Sequence, residues 1–417
     1  MKNLLARFAI LAGMLLGLPL LGVILKGLPL SRYMEFPPQT GYVIHAPFSW
    51  PVFTVYLLLI LVAVVPLIIR AIRGSGRAGA RVLTVYPFPW WGFIGMAAGL
   101  VLWVLAWTRF SWFEAFQPHT FTPLWLSYIV VINAMTYRRR GTCMMLDRPG
   151  VFLALFPSSA LFWWLFEYLN RFVQNWQYVG VHFSPGAYFW SATLSFSTVL
   201  PAVLGTREWI VGSCWIQRGF KDFPRVRIPC QRAVAAAVLM VSGAGLAGIG
   251  VWPDLLFPLL WVSPLLIIVS LQIIWQEYSM LDHMAKGDWR DFTASAFAAF
   301  ICGGFWEMWN YYSLAKWEYA VPFVHKYLVF EMPVLGFAGY LPFGLECAVI
   351  GGIIERLFKS ERGTRNAEWN GGNCLNPPIP QSPNSSIPNI TIGSSTPLTW
   401  PVLLQCFSEG WSDRRPQ

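Results

Sequence analysis

Residues 163–178 of this chain read WWLFEYLNRFVQNWQY, and residues 303–319 read GGFWEMWNYYSLAKWEY. Each stretch places an Asn three residues after a Glu and then ends in a Trp-x-Tyr sequence. Four positions recur with an offset of 140 or 141 residues, namely Glu167 as Glu307, Asn170 as Asn310, Tyr178 as Tyr319, and Pro201 as Pro342. Self-similarity at a fixed period indicates a duplicated structural unit.

The similarity extends toward the N-terminus of both stretches. Trp125 and Ser127 match Trp261 and Ser263, and the sequence Met-Leu-Asp at 145–147 recurs at 280–282. The offset changes mainly between apolar segments, as insertions in loops would make it change. We therefore predict that a unit of four helices occurs twice in tandem.

The composition is typical of a membrane protein. Hydrophobic residues make up 56% of the sequence, charged residues 12%, and the mean hydropathy is +0.50. A water-soluble core of ordinary proportions cannot bury this much apolar surface. Apolar runs near the roughly 20 residues needed to cross a hydrocarbon core lie at 4–25, 50–70, 88–108, 121–137, 151–173, 186–205, 231–251, 254–276, 292–313 and 327–354.

The predicted fold is all-α, a polytopic membrane bundle of about ten transmembrane helices. Residues 1–83 would form two leading helices with an outside loop, residues 84–223 the first four-helix repeat and its connector, and residues 224–359 the second repeat. Because four is even, both repeats insert in the same orientation, as a parallel duplication. Residues 360–417 are rich in Asn, Pro, Ser and Gly, which predicts a disordered cytoplasmic tail.

The distribution of positive charge sets the orientation. Most Lys and Arg residues fall in alternate loops, which the positive-inside rule assigns to the cytoplasm. This predicts a multi-pass protein of a bacterial-type inner (plasma) membrane with both termini cytoplasmic. The net charge of +10 is spread over these loops, so we expect the lipid bilayer as a partner and no nucleic acid.

No cofactor or metal motif is present in the sequence. The seven cysteines show no paired spacing, and no phosphate loop, nucleotide fingerprint or haem motif occurs. Single histidines at His45, His119, His182 and His325 fall in predicted outside loops. Scattered single histidines are more often loop residues than ligands, so we predict no metal and no cofactor, while their convergence on a metal stays open.

The acid and amide of each repeat are the candidate catalytic residues. Glu307 and Asn310 are three residues apart on a predicted helix, so their side chains lie about 60° apart on one face. Glu167 and Asn170 repeat this arrangement. An ionised carboxylate inside a bilayer costs several kcal/mol unless it is protonated, paired or wet. We expect Glu307 to donate or accept a proton and Asn310 to orient it.

The last predicted span supplies two further acids. Glu331 and Glu346 are candidates for a second catalytic acid, and an unbroken helix would place them about 22 Å apart. Pro333 and Pro342 predict a broken helix, which is typical of binding sites and also of simple packing kinks. Glu208 of the first repeat is either the equivalent of Glu346 or an interfacial partner of Arg207.

Aromatic residues surround these acids in the sequence. We predict that Trp306, Trp309, Trp317, Tyr319 and Pro342 line a site for a hydrophobic small molecule. Two structural explanations compete with this prediction. The Trp-x-Tyr sequences suit an aromatic belt at the lipid headgroups, and the acids suit a buried Glu–Asn–indole network that includes Trp163 and Trp164 and locks the helices together.

The stretch from Trp317-x-Tyr319 to Leu341-Pro342-Phe343-Gly344-Leu345-Glu346 resembles the integral-membrane lycopene cyclase family. That family has tandem helical repeats, a Trp-x-Tyr loop and a Pro-x-Glu-Glu motif whose acid protonates a polyene. The resemblance implies an isoprenoid or lipid substrate, with Pro342 and Glu346 at the motif positions. Here four positions separate the proline from the acid, no second Glu adjoins it, and the repeat has four helices rather than three.

Three function hypotheses follow from the sequence. The leading one is an enzyme, a cyclase or isomerase, that acts on a lipid or isoprenoid by intramembrane acid/base chemistry. Acids within apolar spans and an aromatic wall that stabilises cationic intermediates favour it. A proton-coupled transporter fits the repeats, broken helices and carboxylates. A non-catalytic membrane scaffold would use the acids in structural hydrogen bonds only.

Overall fold

The computed structural model of the chain describes residues 2–76 and 86–362, and most of the predicted tail lies outside these residues. The chain is mostly helical. The α-helices are α1 (Lys2–Ala12), α2 (Leu18–Leu25), α3 (Ser31–Met34), α4 (Trp50–Gly76), α5 (Trp90–Trp107), α6 (Phe121–Arg140), α7 (Met144–Asp147), α8 (Pro149–Val173), α9 (Pro185–Phe196), α10 (Val199–Val211), α11 (Cys214–Gly219), α12 (Gln231–Gly248), α13 (Pro253–Leu256), α14 (Leu259–Ile274), α15 (Met280–Ala285), α16 (Arg290–Tyr311) and α17 (Tyr340–Arg362). A π-helical segment (Gly13–Gly17) joins α1 to α2, and 3₁₀ segments cover Ser111–His119 and Val334–Gly339. The strands are β1 (Trp176–Val179), β2 (Lys316–Tyr319), β3 (Leu328–Val329) and β4 (Met332–Pro333).

Seven helical segments of the described residues are long and apolar enough to cross a membrane. They are Leu5–Leu25, Trp50–Ser75, Trp90–Trp107, Pro149–Val173, Pro185–Val211, Gln231–Gly248 and Val334–Phe358. This confirms a helical protein rich in candidate membrane spans. Helices α6, α14 and α16 occupy the other three predicted intervals. Of these, α14 has only 16 residues, and polar and aromatic residues lower the hydropathy of α6 and α16.

The predicted span at 186–205 is interrupted between α9 and α10. The backbone leaves the α-helical pattern at Ser197 and Thr198, so groups there need partners from elsewhere. The hydroxyl of Ser159 donates to the carbonyl of Phe196 (2.5 Å) and accepts from the amide of Leu200 (3.0 Å). One side chain of α8 therefore hydrogen-bonds to both sides of the break.

The first part of the span predicted at 327–354 is not α-helical in the structure. Residues 328–333 form a β3–β4 hairpin, a 3₁₀ segment follows, and α17 begins only at Tyr340. Left-handed backbone conformations at Tyr327 (φ 54°) and Phe330 (φ 58°) bring the chain around the hairpin. Glu331 lies at its turn, so the prediction that Glu331 and Glu346 share one helix is wrong. Pro333 disfavours helix in the residue before it, which is consistent with this late start.

The loop between α3 and α4 covers the end of the bundle that carries β1. Gln174 ends α8 in the left-handed region (φ 53°), and its Oε1 accepts from the amides of Gly41, Tyr42 and Val43 at 2.9–3.1 Å. Asp254 accepts from the amide of Ala46 at 2.9 Å and contacts His45 Nδ1 at 2.7 Å. These contacts hold the loop over the strand end of the bundle.

Ion pairs join the helices at the opposite end of the bundle. Arg148 pairs with Glu355 (2.5 Å) and with Glu208 (3.4 Å). Arg207 pairs with Asp291 at 2.9 Å. The interpretation of Glu208 as a partner of Arg207 is therefore wrong, because the two neighbouring side chains bind different helices.

Helices α16 and α17 cross closely at Gly344. A Cβ atom at Gly344 would lie 2.1 Å from the carbonyl oxygen of Ser295 on α16. Such a separation is far below van der Waals contact, so only glycine permits this crossing. Gly304, also on α16, has open space where a Cβ would stand.

We expect Gly344→Ala to destabilise the protein by about 1–3 kcal/mol, because α17 must move away from α16. Gly304→Ala is the matched control and should be neutral or slightly stabilising, since Ala favours helix over Gly. Unfolding of the purified protein in detergent measures both. Equal stability of the two variants would contradict the close crossing.

Candidate functional site

The two Trp-x-Tyr sequences pair with each other. Strands β1 and β2 form an antiparallel ribbon in which Trp176 faces Tyr319, Gln177 faces Glu318, and Tyr178 faces Trp317. Each Trp thus lies opposite the Tyr of the other sequence. The ribbon places the aromatic side chains above the ends of α8 and α16, where the candidate acids lie.

Each strand is held to its helix by the predicted asparagine. Asn170 donates from Nδ2 to the carbonyl of Trp176 (2.8 Å) and accepts from the amide of Asn175 (2.8 Å). Asn310 donates to the carbonyl of Trp317 (2.7 Å) and accepts from its amide (2.9 Å). Neither amide bonds to its neighbouring acid. Asn310 instead fixes the strand that carries the donor to Glu307.

Glu307 is fully buried and bound by two phenols. Its Oε1 accepts from the hydroxyls of Tyr319 (2.7 Å) and Tyr340 (2.6 Å). The indole of Trp317 donates to the Tyr319 hydroxyl at 2.8 Å. Burial raises the pKa of Tyr319 well above its usual value of 10, and the nearby Glu307 raises it further. This phenol therefore keeps its proton at physiological pH. Oε2 of Glu307 has no partner among the described residues.

Glu167 has an equivalent environment with different donors. Its Oε1 accepts from the Tyr178 hydroxyl at 2.6 Å and from the indoles of Trp176 and Trp163, both at 3.1 Å. The side chain is buried. Each of the two acids therefore binds the tyrosine of the strand that follows its helix.

Each acid also has a donor on a helix, and this helix is α8 for Glu167 and α17 for Glu307. Trp163 of α8 corresponds by the 140-residue offset to Gly303 of α16, and Tyr340 of α17 corresponds by the 141-residue offset to Val199. A Cβ at Gly303 would lie 2.3 Å from the ring of Tyr340. The glycine therefore makes room for Tyr340, whose hydroxyl takes the place of the indole that Trp163 supplies to Glu167.

Aromatic rings fill the interface between the two halves of the bundle. Trp125 packs on Trp306 with ring centroids 5.0 Å apart, and at equivalent positions Trp261 packs on Phe166 at 5.1 Å. Phe343 contacts Phe166 at 5.5 Å. Trp309, also predicted to bind substrate, instead packs on Trp125 at 5.1 Å within this core.

A cavity of about 740 Å³ lies below the covering loop and the ribbon. Its volume is within the range of small-molecule sites, roughly 300–1,000 Å³. Its wall includes Glu167 and the two phenols that bind Glu307. Predicted site residues on the wall are Glu167, Asn170, Trp306, Trp317, Tyr319 and Pro342. Among the described residues, the predicted site members Glu307, Asn310, Trp309, Glu331 and Glu346 are not part of that wall.

Neither of the two candidate second acids, Glu331 and Glu346, forms a hydrogen bond with Glu307. Glu331 lies on the β3–β4 turn and accepts from Lys316 Nζ at 2.6 Å. Glu346 is fully buried, and its Oε1 accepts from the amide of Leu265 at 3.0 Å, next to Pro264 in α14. The structure therefore uses Glu331 in a surface ion pair and Glu346 in a helix contact.

One donor in the site, Tyr340, was missed from the sequence, while Trp163 was named there as part of the structural Glu–Asn–indole network. The signal was present at two repeat positions, because Gly303 stands where the 140-residue offset places Trp163, and Tyr340 stands where the 141-residue offset places Val199. Within residues 2–76 and 86–362, no group of three or more His, Cys, Asp or Glu side chains is placed to hold a metal ion. His45 instead contacts Asp254, and His119 contacts Ser191 at 3.4 Å.

Comparisons of the chain with protein-family models, with curated proteins and with solved structures found no match. The interpretation of the site depends on its own geometry.

We expect Tyr319→Phe and Tyr340→Phe each to lower the free energy of unfolding by about 1 kcal/mol. The double variant should lose at least 1 kcal/mol more than the sum, roughly, because Glu307 then loses both phenolic donors at once. Tyr312→Phe, a change at a 55% exposed residue, is the control and should be neutral. Strictly additive losses in a detergent unfolding assay would contradict the shared acceptor.

Proposed function

We propose that this chain is an enzyme of a bacterial-type inner membrane that isomerises or cyclises a lipid or isoprenoid by intramembrane acid/base chemistry. The observation that carries the proposal is one cavity to which two buried acids connect. Glu167 lies on the wall, and Glu307 reaches it through the hydroxyls of Tyr319 and Tyr340. The wall is mostly aromatic and aliphatic, which suits an apolar substrate.

The proposal includes ten spans arranged as two leading helices and two parallel four-helix repeats. The register of the ribbon supports the duplication. Trp176 and Trp317 are 141 residues apart, as are Tyr178 and Tyr319, and each Trp pairs with the Tyr of the other sequence. Helix packing supports it as well. α5 packs on α6 as α12 packs on α14, and α10 packs on α16 as α17 packs on α8.

The orientation is the one expected from the sequence, with both termini cytoplasmic. The ring of Phe121, at the start of α6, lies 5.7 Å from Trp317 of the ribbon. The opposite end of α6 carries three arginines in its last turn, Arg138, Arg139 and Arg140. Because positive residues remain cytoplasmic, the ribbon and the cavity belong to the outer half of the membrane.

A proton could cross the cavity in two steps. The cycle starts with Glu307 protonated and Glu167 ionised. The Tyr340 hydroxyl turns from Glu307 toward a double bond of the substrate and gives it a proton, and the carboxyl proton of Glu307 replaces that proton on the phenol. The carbocation that results migrates or closes a ring next to aromatic faces that stabilise positive charge. Glu167 then removes a proton to restore a double bond. The substrate is isomerised with no net gain or loss of protons, and a proton must return to Glu307 before the next turnover.

A proton-coupled transporter is the second candidate function. The break between α9 and α10 favours it, because Ser195, Phe196 and Val199 at that break line the cavity beside Glu167. Broken helices next to a membrane carboxylate are frequent in transporters. Proton-coupled flux in liposomes that vanishes in Glu307→Gln would support this function over the enzyme.

Lipid and pigment extracts from cells with and without the protein test the enzyme directly. We expect a product that depends on the protein, reduced about 100-fold or more in Glu307→Gln and Tyr340→Phe, since general acid catalysis contributes about 10²–10⁴-fold. Tyr312→Phe is the control and should retain the product. Folding of each variant is checked by its elution from a gel-filtration column.

An unchanged lipid profile with folded protein present counts against the enzyme. Unchanged phenotype and stability in Glu307→Gln would instead identify a membrane scaffold, since the amide can keep hydrogen bonds to both phenols.

A further inference from the structure

The described part of the cavity wall carries one carboxylate, Glu167, and one arginine, Arg171. Apart from His182, the titratable acids and bases of its wall among the described residues are Glu167, Arg171 and tyrosines. Glu167 and Arg171 lie one turn apart on α8, and Glu167 already accepts three hydrogen bonds from protein donors. Arg171 is the feature of the cavity that the acid/base chemistry above does not use.

Arg171 is half-buried and forms no ion pair in direct contact with a described carboxylate, although Glu167 and Glu35 lie near enough to interact with its charge. Its Nη1 donates to the carbonyls of Tyr33 (2.9 Å) and Glu35 (2.6 Å), and these are its side-chain hydrogen bonds to described residues. Backbone carbonyls fix the direction of the guanidinium but do not neutralise its charge. A half-buried cation of this kind is stabilised further by a bound anion.

The cation also breaks the similarity of the two repeats. The residue of the second repeat that corresponds to Arg171 is Tyr311, which is 36% exposed and is not on the cavity wall. Lys316 of the second repeat is paired with Glu331. The wall therefore carries Arg171 without a counterpart from the second repeat, so a ligand with one charged end would bind in one direction.

The wall has polar and apolar parts. Besides Arg171 it includes Gln39, Thr40 and Gln177, and Thr40 donates to Gln177 at 3.1 Å. Elsewhere it includes Leu59 and Ile60 of α4. Leu59 is 62% exposed on the apolar surface of that helix. The cavity thus offers a ligand a cation, Arg171, and an apolar wall that includes an exposed residue of α4.

We propose that the ligand of this cavity is an amphipathic lipid whose phosphate head group binds Arg171 and whose hydrocarbon chain runs toward Leu59. The inference rests on the proposed lipid-handling function and names the substrate class. A guanidinium forms paired, charge-assisted hydrogen bonds with phosphate oxygens. A free phosphate would make no use of the apolar part of the wall. A neutral hydrocarbon would place no phosphate next to Arg171.

Three probes separate these ligand classes. Purified protein in a non-ionic detergent is titrated with dodecyl phosphate, with dodecanol and with inorganic phosphate, and binding is followed by the fluorescence of the cavity tryptophans. We expect dodecyl phosphate to bind about tenfold or more tightly than either other probe, because only it uses both Arg171 and the apolar part of the wall.

Two arginine variants assign the preference to the site. Arg171→Gln should reduce the dodecyl phosphate affinity about tenfold while leaving the dodecanol affinity unchanged. Arg109→Gln is the matched control, because Arg109 also donates to carbonyls, such as that of Tyr312 at 2.7 Å, but does not line the cavity. It should retain the preference for dodecyl phosphate.

The possible results distinguish this inference from the function on which it rests. Equal affinities for dodecanol and dodecyl phosphate, or an unchanged preference in Arg171→Gln, would overturn the phosphate head group and leave a cavity for neutral lipids. Tight binding of inorganic phosphate alone would identify an anion site without a lipid and overturn it as well. If none of the probes binds, both the inference and the lipid-binding cavity are wrong.

Discussion

The pairing of β1 with β2 closes the end of the bundle at which both glutamates are buried. A carboxyl group away from water needs hydrogen-bond donors, and neither α8 nor α16 can supply enough of them from its own backbone. The strands bring a tyrosine to each acid, at 2.6 Å for Tyr178 and 2.7 Å for Tyr319. Asn170 and Asn310 fix the strands, and the ribbon forms part of the cavity wall.

The same constraint explains how the two halves differ. Each acid needs a donor from a helix in addition to the tyrosine of its strand. Glu167 receives it from Trp163 on the helix that carries the acid, and Glu307 receives it from Tyr340 on the next helix, with Gly303 leaving space for the ring of Tyr340. The second arrangement places a phenol between Glu307 and the cavity, while Glu167 lies on the wall itself. This difference gives the two acids the distinct roles of the proposed function.

Some of this could be predicted from the sequence. The spacing of Glu307 and Asn310, repeated at Glu167 and Asn170, identified the four residues around which the ribbon is built, because helical spacing is a local property. The partners of Glu307 were not local, since Tyr340 follows it by 33 residues and a hairpin. Glu331 was misplaced because periodicity does not separate a short apolar hairpin from the start of a helix. The antiparallel pairing of two four-residue strands is a long-range contact that no local pattern specifies.

Oxidative cross-linking across the ribbon tests the central claim most directly. The register places residues 177 and 318 opposite each other, where paired Cα atoms are within the roughly 4.4–6.8 Å that a disulfide spans. Gln177→Cys combined with Glu318→Cys should form a linked peptide pair that mass spectrometry identifies. Gln177→Cys combined with Lys316→Cys is the control, because a diagonal separation of about 7–8 Å is too long. A missing 177–318 link, or a 177–316 link formed equally fast, would contradict the ribbon and the paired acid sites beneath it.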